Sequence, residues 1–173
     1  AHGIWTPGVV LMRNLSFTGK AVLISLAFLV PMLLTVAWLL KSQTDDALGA
    51  RQDATRQHVE VAFGVLEWAH KQEQAGALTR AQAQDAAKRL IGQMRYDKQE
   101  YFWINDMTPR VVMHPINTKL DGQDVSDLKD PNGFALFKGF VDEVRRNGKG
   151  FVPYMWPKPG HAQPVEKLSY VMG

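Results

Sequence analysis

The chain has no cysteine. That excludes a disulfide framework, a thiolate nucleophile and a cysteine-based zinc site. It leaves the redox compartment open. Charge of one sign is also scarce. Lys and Arg number 20 against 17 Asp and Glu, a formal net charge of +3 in 173 residues. The basic residues are scattered, so a nucleic-acid partner lacks its electrostatic footprint despite a pI near 9.2. No nucleophile elbow, phosphate-binding loop or dinucleotide fingerprint occurs. His58, His70 and His161 have no metal-ligand spacing among them, and His2 sits at the N-terminal end. No cofactor is expected.

One long hydrophobic run is present. AVLISLAFLVPMLLTVAWLL, Ala21 to Leu40, has no charged residue and is bracketed by Lys20 and Lys41. About 20 apolar residues at 1.5 Å rise cross a ~30 Å hydrocarbon core. A signal peptide carries a shorter core, and no small-residue cleavage site follows directly. A soluble helix of this length would show a polar stripe, and only Ser25 and Thr35 interrupt this one. Residues 21–40 therefore read as a transmembrane helix, in which Pro31 is tolerated. Arg13 and Lys20 before the span balance Lys41, Arg51 and Arg56 after it, so charge does not orient it. A short tail, 1–20, and a long polar region after the span suit an anchor with the tail inside. The chain opens on Ala1 and closes on the strand-like VEKLSYVMG. A fragment of a longer protein is expected.

Residues 42–75 read as a long helix. Leu48, Thr55, Ala62 and Ala69 recur every seventh residue, interleaved with Gln52, Val59 and Leu66. Gly76 is its expected stop. Thr79 and Gln82 form the ends of a capping box. Ala83, Ala86, Ala87, Leu90, Ile91 and Met94 then predict the buried face of a second helix. YFWIND and RVVMH predict a hairpin around Thr108-Pro109. Asp130-Pro131 predicts the start of a third helix, with Phe134, Phe137, Phe140, Val141 and Val144 inward and Asn147-Gly148 as its end. GFVPYMW and VEKLSYVM predict two more strands joined by PKPGHAQP. The expected class is α+β, an antiparallel sheet with helices segregated to one side.

Side chains alternate along a strand. Tyr101, Trp103 and Asn105 thus share a side, opposite Phe102, Ile104 and Asp106. Arg110, Val112 and His114 group together, as do Val152, Tyr154 and Trp156, and Lys167, Ser169 and Val171. One face gathers Tyr101, Trp103, His114, Tyr154, Trp156 and Lys167. Aromatic walls with convergent Lys and His donors suit a small carboxylate ligand. The plainer alternative makes the aromatics core and Lys167 solvated. Asp121, Asp124, Asp127 and Asp130 recur every third residue. Calcium is the sharp reading of them, but the spacing is not that of an EF-hand, and turns and caps account for Asp121 and Asp130. A hydrolase using His114 lacks a nucleophile partner in any motif. A structural tether that binds a partner protein is a further alternative.

YFWINDMTPRVVMHP, LDGQDVSDLKDPNGFALF, GKGFVPYMWPKPG and PVEKLSYV, in that order over roughly residues 45–173, resemble the single Cache domain of bacterial chemoreceptors and related sensors. The resemblance implies a long N-terminal helix leading into a PAS-like antiparallel sheet in the periplasm, anchored in the inner membrane. It implies a non-enzymatic domain that binds small organic acids of two or three carbons. On the family pattern, Tyr101 and Trp103 in YFW, His114 in MHP, Tyr154 and Trp156 in YMW, and Lys167 in KLSY are the ligand-binding residues. The family continues into a Trp- and Gly-rich closing strand, so the last strand or strands are expected to be missing here. The domain division implied is a cytoplasmic tail at 1–20, the span at 21–40 and the sensor at 42–173. A homodimer through the 42–75 helix is expected. Chemotaxis, kinase and second-messenger outputs all remain open.

Overall fold

The computed structural model describes residue 13 and residues 15–173. Most of the expected 1–20 tail, including His2, lies outside the described residues. The chain divides into two compact units, residues 1–51 and 52–173. Helix α1 spans Phe17–Gln74. Two segments, 21–40 and 42–75, were expected; the helix has no break at Lys41. Between Pro31 and Gly49 no Gly or Pro interrupts the hydrogen-bond ladder. In the first unit the apolar side chains, Phe28, Leu34 and Trp38 among them, are exposed all round the helix. Its most apolar window has a mean hydropathy of 2.5, so the helix is long and apolar enough to cross a membrane. The Thr35 hydroxyl donates to the Pro31 carbonyl at 2.8 Å, a local back-bond beside the proline.

In the second unit α1 buries Ala62 and Ala69, with Val59 and Leu66 packed beside them. It ends two residues before Gly76, whose φ of +70° suits a residue without Cβ. Helix α2 (Arg80–Gln93) starts with the expected capping box: the Thr79 hydroxyl takes the Gln82 N–H, and the Gln82 side chain takes the Thr79 N–H. Ala83, Ala87 and Ile91 are buried. Leu90, expected inward, is exposed. It is rotated by about 100° from Ile91, off the i, i+4 row that meets α1.

Six strands follow α2: β1 (Arg95–Tyr96), β2 (Glu100–Tyr101), β3 (Ile104–Asn105), β4 (Val111–Met113), β5 (Lys149–Pro157) and β6 (Pro164–Met172). Between β4 and β5 lie a 3-10 turn at Thr118–Leu120 and helix α3 (Leu136–Asn147). The strands form three antiparallel ladders, β1–β2, β3–β4 and β5–β6, where one sheet was expected. YFWIND is not a single strand. It breaks at Phe102-Trp103, and the β3–β4 register shifts between Ile104 and Asn105. The β5–β6 ladder is long and regular, from Lys149↔Met172 to Pro157↔Pro164.

Helix α3 starts at Leu136, five residues beyond Pro131. Asp130 does not cap it. Its Oδ1 accepts the Asn132 and Phe134 N–H groups at 2.9 and 3.0 Å, closing a local turn. Its Oδ2 accepts the Met155 N–H at 2.9 Å and so pins that turn to β5. Burial pushes this carboxyl up, and the three N–H donors together bring it below its ordinary value. Phe134 consequently lies outside the helix, and Leu136 takes a fully buried place that the sequence pattern did not assign. Gly148, at φ +74°, ends α3 as expected.

Two faces now have separate jobs. Phe102 and Met113, with Ile104 beside them, pack on Ala62 and Ile91 of α1 and α2. Val111, Val152 and Val171 pack on Leu136, Phe137 and Phe140 of α3, joined by Trp103, Tyr154 and Trp156. Leu136→Ala is expected to cost about 2–5 kcal/mol, because it empties a fully enclosed site. Leu168→Ala, on the exposed side of β6, should stay within about 1 kcal/mol. Urea unfolding of the chain in detergent micelles, followed by tryptophan fluorescence, measures both. Equal losses would contradict this placement of the core.

Candidate functional site

The β5–β6 register sets half of the site. Tyr154 faces Lys167 directly, Val152 faces Ser169 and Trp156 faces Val165. Directly opposed residues share a sheet face, so Tyr154, Trp156, Lys167 and Ser169 lie on one side. The Tyr154 hydroxyl and Ser169 Oγ are hydrogen-bonded at 2.9 Å.

Tyr101 and Trp103 come from the β2–β3 segment. The Trp103 indole N–H donates to Asn105 Oδ1 at 2.9 Å, as residues two apart on one side can. His114 arrives differently from the expected alternation, which grouped it with Val112. Strand β4 ends at Met113, so the alternation stops there. Val112 is exposed, whereas His114 is buried, with 3% of its surface accessible. The backbone N–H of His114 donates to Asp121 Oδ1 at 2.7 Å. The N–H groups of Ile116 and Asn117 donate to its Nδ1 at 3.3 and 3.0 Å. The Asp121 carboxylate and the 114–117 turn thus lock the ring in place.

The rings meet in two chains. Tyr101 lies 5.0 Å from His114 between centroids, and His114 lies 6.1 Å from Trp156. Trp103 and Tyr154 both contact Phe140, at 5.2 and 5.0 Å. The Lys167 ammonium sits 5.2 Å from the Tyr101 ring centroid, a cation–π contact. It is also ion-paired with Glu100 at 2.9 Å. The Lys167 side chain is only 12% exposed and that of Glu100 31%. All six candidate residues therefore fall in or beside one aromatic cluster. Glu100 was not among them. Its partner is 67 residues away in sequence, so no local spacing marks it.

Burial pulls His114 down from 6.5 to about 4; the Asp121 carboxylate opposes this and the Lys167 charge adds to it. At neutral pH the ring is uncharged. Its Nδ1 accepts two N–H bonds, so the hydrogen is on Nε2. Burial raises the Tyr101 and Tyr154 hydroxyls, which stay protonated. The cluster therefore contains one ammonium, one carboxylate and neutral donors. Three of the four Asp residues in the series beside it bond the backbone: besides Asp121 and Asp130, Asp124 Oδ1 accepts the Ser126 N–H at 2.9 Å, and also the Ser126 hydroxyl at 2.6 Å. Among the described residues no three His, Asp or Glu groups are placed to hold a metal ion.

A cavity of about 260 Å³ lies next to the cluster, between Val59, Ala62 and Leu66 of α1, residues 101–105, Phe140 and residues 169–173. Tyr101 and Trp103 line it; His114, Tyr154, Trp156 and Lys167 do not. The empty volume is thus chiefly apolar, and the charged chemistry sits beside it in a closed cluster. The ammonium that could answer an anion's charge lies in the cluster and not along the cavity wall.

Residues 48–173 match the family Single Cache domain 2. Over 161 residues, 92% of this chain, the sequence is 42% identical to the methyl-accepting chemotaxis protein McpP of Pseudomonas putida. The chain spans 29% of that relative's length. A solved periplasmic sensor domain of a chemotaxis protein superposes with a TM-score of 0.72 at 48% identity, covering 73% of this chain and 88% of that one. A Cache chemosensory domain solved to explain carboxylic acid recognition superposes with a TM-score of 0.71 at 46% identity, covering 74% of this chain and 87% of that one. Helices on small antiparallel ladders are therefore a shared architecture, and this chain belongs to the single Cache domain 2 family, homologous to the sensor domains of methyl-accepting chemotaxis proteins.

Proposed function

We propose that this chain is the membrane-anchored sensor of a chemoreceptor-type signal transducer and that it binds a short-chain carboxylate without chemical conversion. The observation that carries the reading is Lys167. A nearly enclosed ammonium, held on the Tyr101 ring and flanked by aromatic walls, is a ready partner for a carboxylate, as its 2.9 Å pairing with Glu100 illustrates. The similarity to a domain that recognises carboxylic acids supports the same ligand class. In this reading the ligand carboxylate pairs with Lys167 and accepts a hydrogen bond from His114. Tyr101, Trp103, Tyr154 and Trp156 enclose its short chain. His114 acts as a neutral Nε2–H donor, so charge recognition rests on Lys167. Within the cluster, Ser169 Oγ is bonded to Tyr154 and His114 Nδ1 is taken by backbone N–H groups, so the two do not form a nucleophile–base pair.

Residues 21–40 cross the inner membrane in this proposal, residues 1–20 remain cytoplasmic and residues 42–173 form the periplasmic sensor. The exposed apolar helix and the periplasmic relatives support that placement. Two copies pair through the 42–75 segment of α1. Ligand shifts the pair between arrangements only by its differential affinity for them.

The chain in detergent micelles should gain roughly 5–10 °C in Tm with acetate or propionate at about a hundredfold excess over Kd. Lys167→Ala should abolish the gain. Absence of a shift with every two- to four-carbon carboxylate would refute the ligand class. A second expectation concerns acid. His114 has its folded pKa depressed from 6.5 to about 4, so the unfolded chain binds that proton first. Its contribution to stability is complete above pH 6.5 and is lost as the pH falls through about 4. The slope it adds is at most about 1.4 kcal/mol per pH unit. Melting temperature against pH from 7 to 4 should be flatter for His114→Asn, and identical slopes would show that the ring titrates alike in the folded and unfolded chain.

A further inference from the structure

Lys167 is not waiting with a bare charge: Glu100 already holds it. The two come from separate ladders, Glu100 from β2 and Lys167 from β6. Nothing in the backbone pairing requires them to meet, because β2 pairs with β1 and β6 with β5. Each end of the pair has a different solvent status. The ammonium is almost enclosed, whereas the carboxylate keeps about a third of its surface in water. A charge in the first position needs a partner in every state of the protein. A charge in the second position can return to water at small cost. The Glu100 carboxylate also carries the same functional group as a short organic acid.

We propose that Glu100 is an internal stand-in for the ligand carboxylate, and that binding is an exchange in which the ligand displaces Glu100 from Lys167. This rests on the carboxylate reading of the site and adds a residue that sets its affinity. One carboxylate replaces another on the same ammonium, so the observed affinity reports the difference between two ion pairs. The released Glu100 turns to solvent. It sits on the β1–β2 hairpin, whose turn holds Asp97 and Lys98 at positive φ (42° and 71°). Its cross-strand partner Tyr96 stacks on His58 of α1 with centroids 4.9 Å apart. The exchange therefore takes place at one end of a short hairpin whose other strand touches the long helix.

Isothermal titration of propionate into the chain in detergent micelles tests this. Glu100→Gln removes the competing charge and should tighten propionate binding roughly tenfold, the scale of one charge-assisted contact. Glu100→Asp keeps the charge but withdraws it by one methylene, and should also tighten binding. If Asp matches the wild type while Gln tightens, the charge acts only through its field, and the stand-in is refuted. If Glu100→Gln is unchanged or weaker while Lys167→Ala abolishes binding, the exchange is refuted and the carboxylate reading survives. If neither the wild type nor Glu100→Gln binds propionate or acetate, both readings fall. Circular dichroism of each variant confirms folding, which this part-exposed side chain does not control.

Discussion

Phe140 joins parts that the backbone leaves separate. The β3–β4 and β5–β6 ladders share no hydrogen bonds. Phe140 touches Trp103 from the first and Tyr154 from the second, with Phe137 edge-on beside it. Each aromatic pair contributes about 0.5–1.5 kcal/mol beyond its buried area. The helix that supplies Phe140 is itself placed by the Asp130 turn, whose second oxygen grips β5. The position of the candidate site therefore depends on an aromatic contact seated on α3.

The same rings serve as core and, in the proposed function, as recognition surface. Trp103, Tyr154 and Trp156 pack on the cluster around Phe137 and Phe140, and their neighbours Tyr101 and Lys167 carry the polar chemistry. This economy has a physical consequence. The walls are held in place by packing, so a ligand meets a surface that is already ordered. Charge enters the cluster through Lys167 and Glu100, with the Asp121 carboxylate at its edge on the His114 backbone, since burial keeps His114 neutral and both tyrosines protonated.

What the sequence revealed follows the range of each force. The capping box at Thr79 and Gln82 and the stop at Gly148 depend on neighbours within a few residues, and both are present. The division between Phe102 and Trp103 follows from alternation, which survives the break between β2 and β3 because adjacent side chains still diverge. Alternation and the MHP motif both point to His114, but alternation puts it on the side of Val112, which is exposed while His114 is buried. Strand β4 ends one residue earlier, and Asp121 then turns the chain. Leu136 was missed because Asp130-Pro131 mimics a helix start. The competing use of Asp130, a bond to Met155, lies 25 residues on. Glu100 was invisible for the same reason at longer range. An acid between Gln99 and Tyr101 looks like solvated edge until its partner on β6 is known.

The β5–β6 ladder ends on Pro157 opposite Pro164. Proline has no N–H to extend a ladder, so the pairing cannot creep outward into the loop at 158–163. That separates two kinds of sequence change. Insertions and deletions in the tip leave Tyr154 opposite Lys167, and the loop is free to drift in length through evolution or to accept a reporter peptide. A single-residue deletion inside either strand, between the paired residues and the strand's anchored end, would put Tyr154 and Lys167 on opposite faces. Length variation among homologues should therefore concentrate at the tip, while the interval from Val165 to Val171 stays constant.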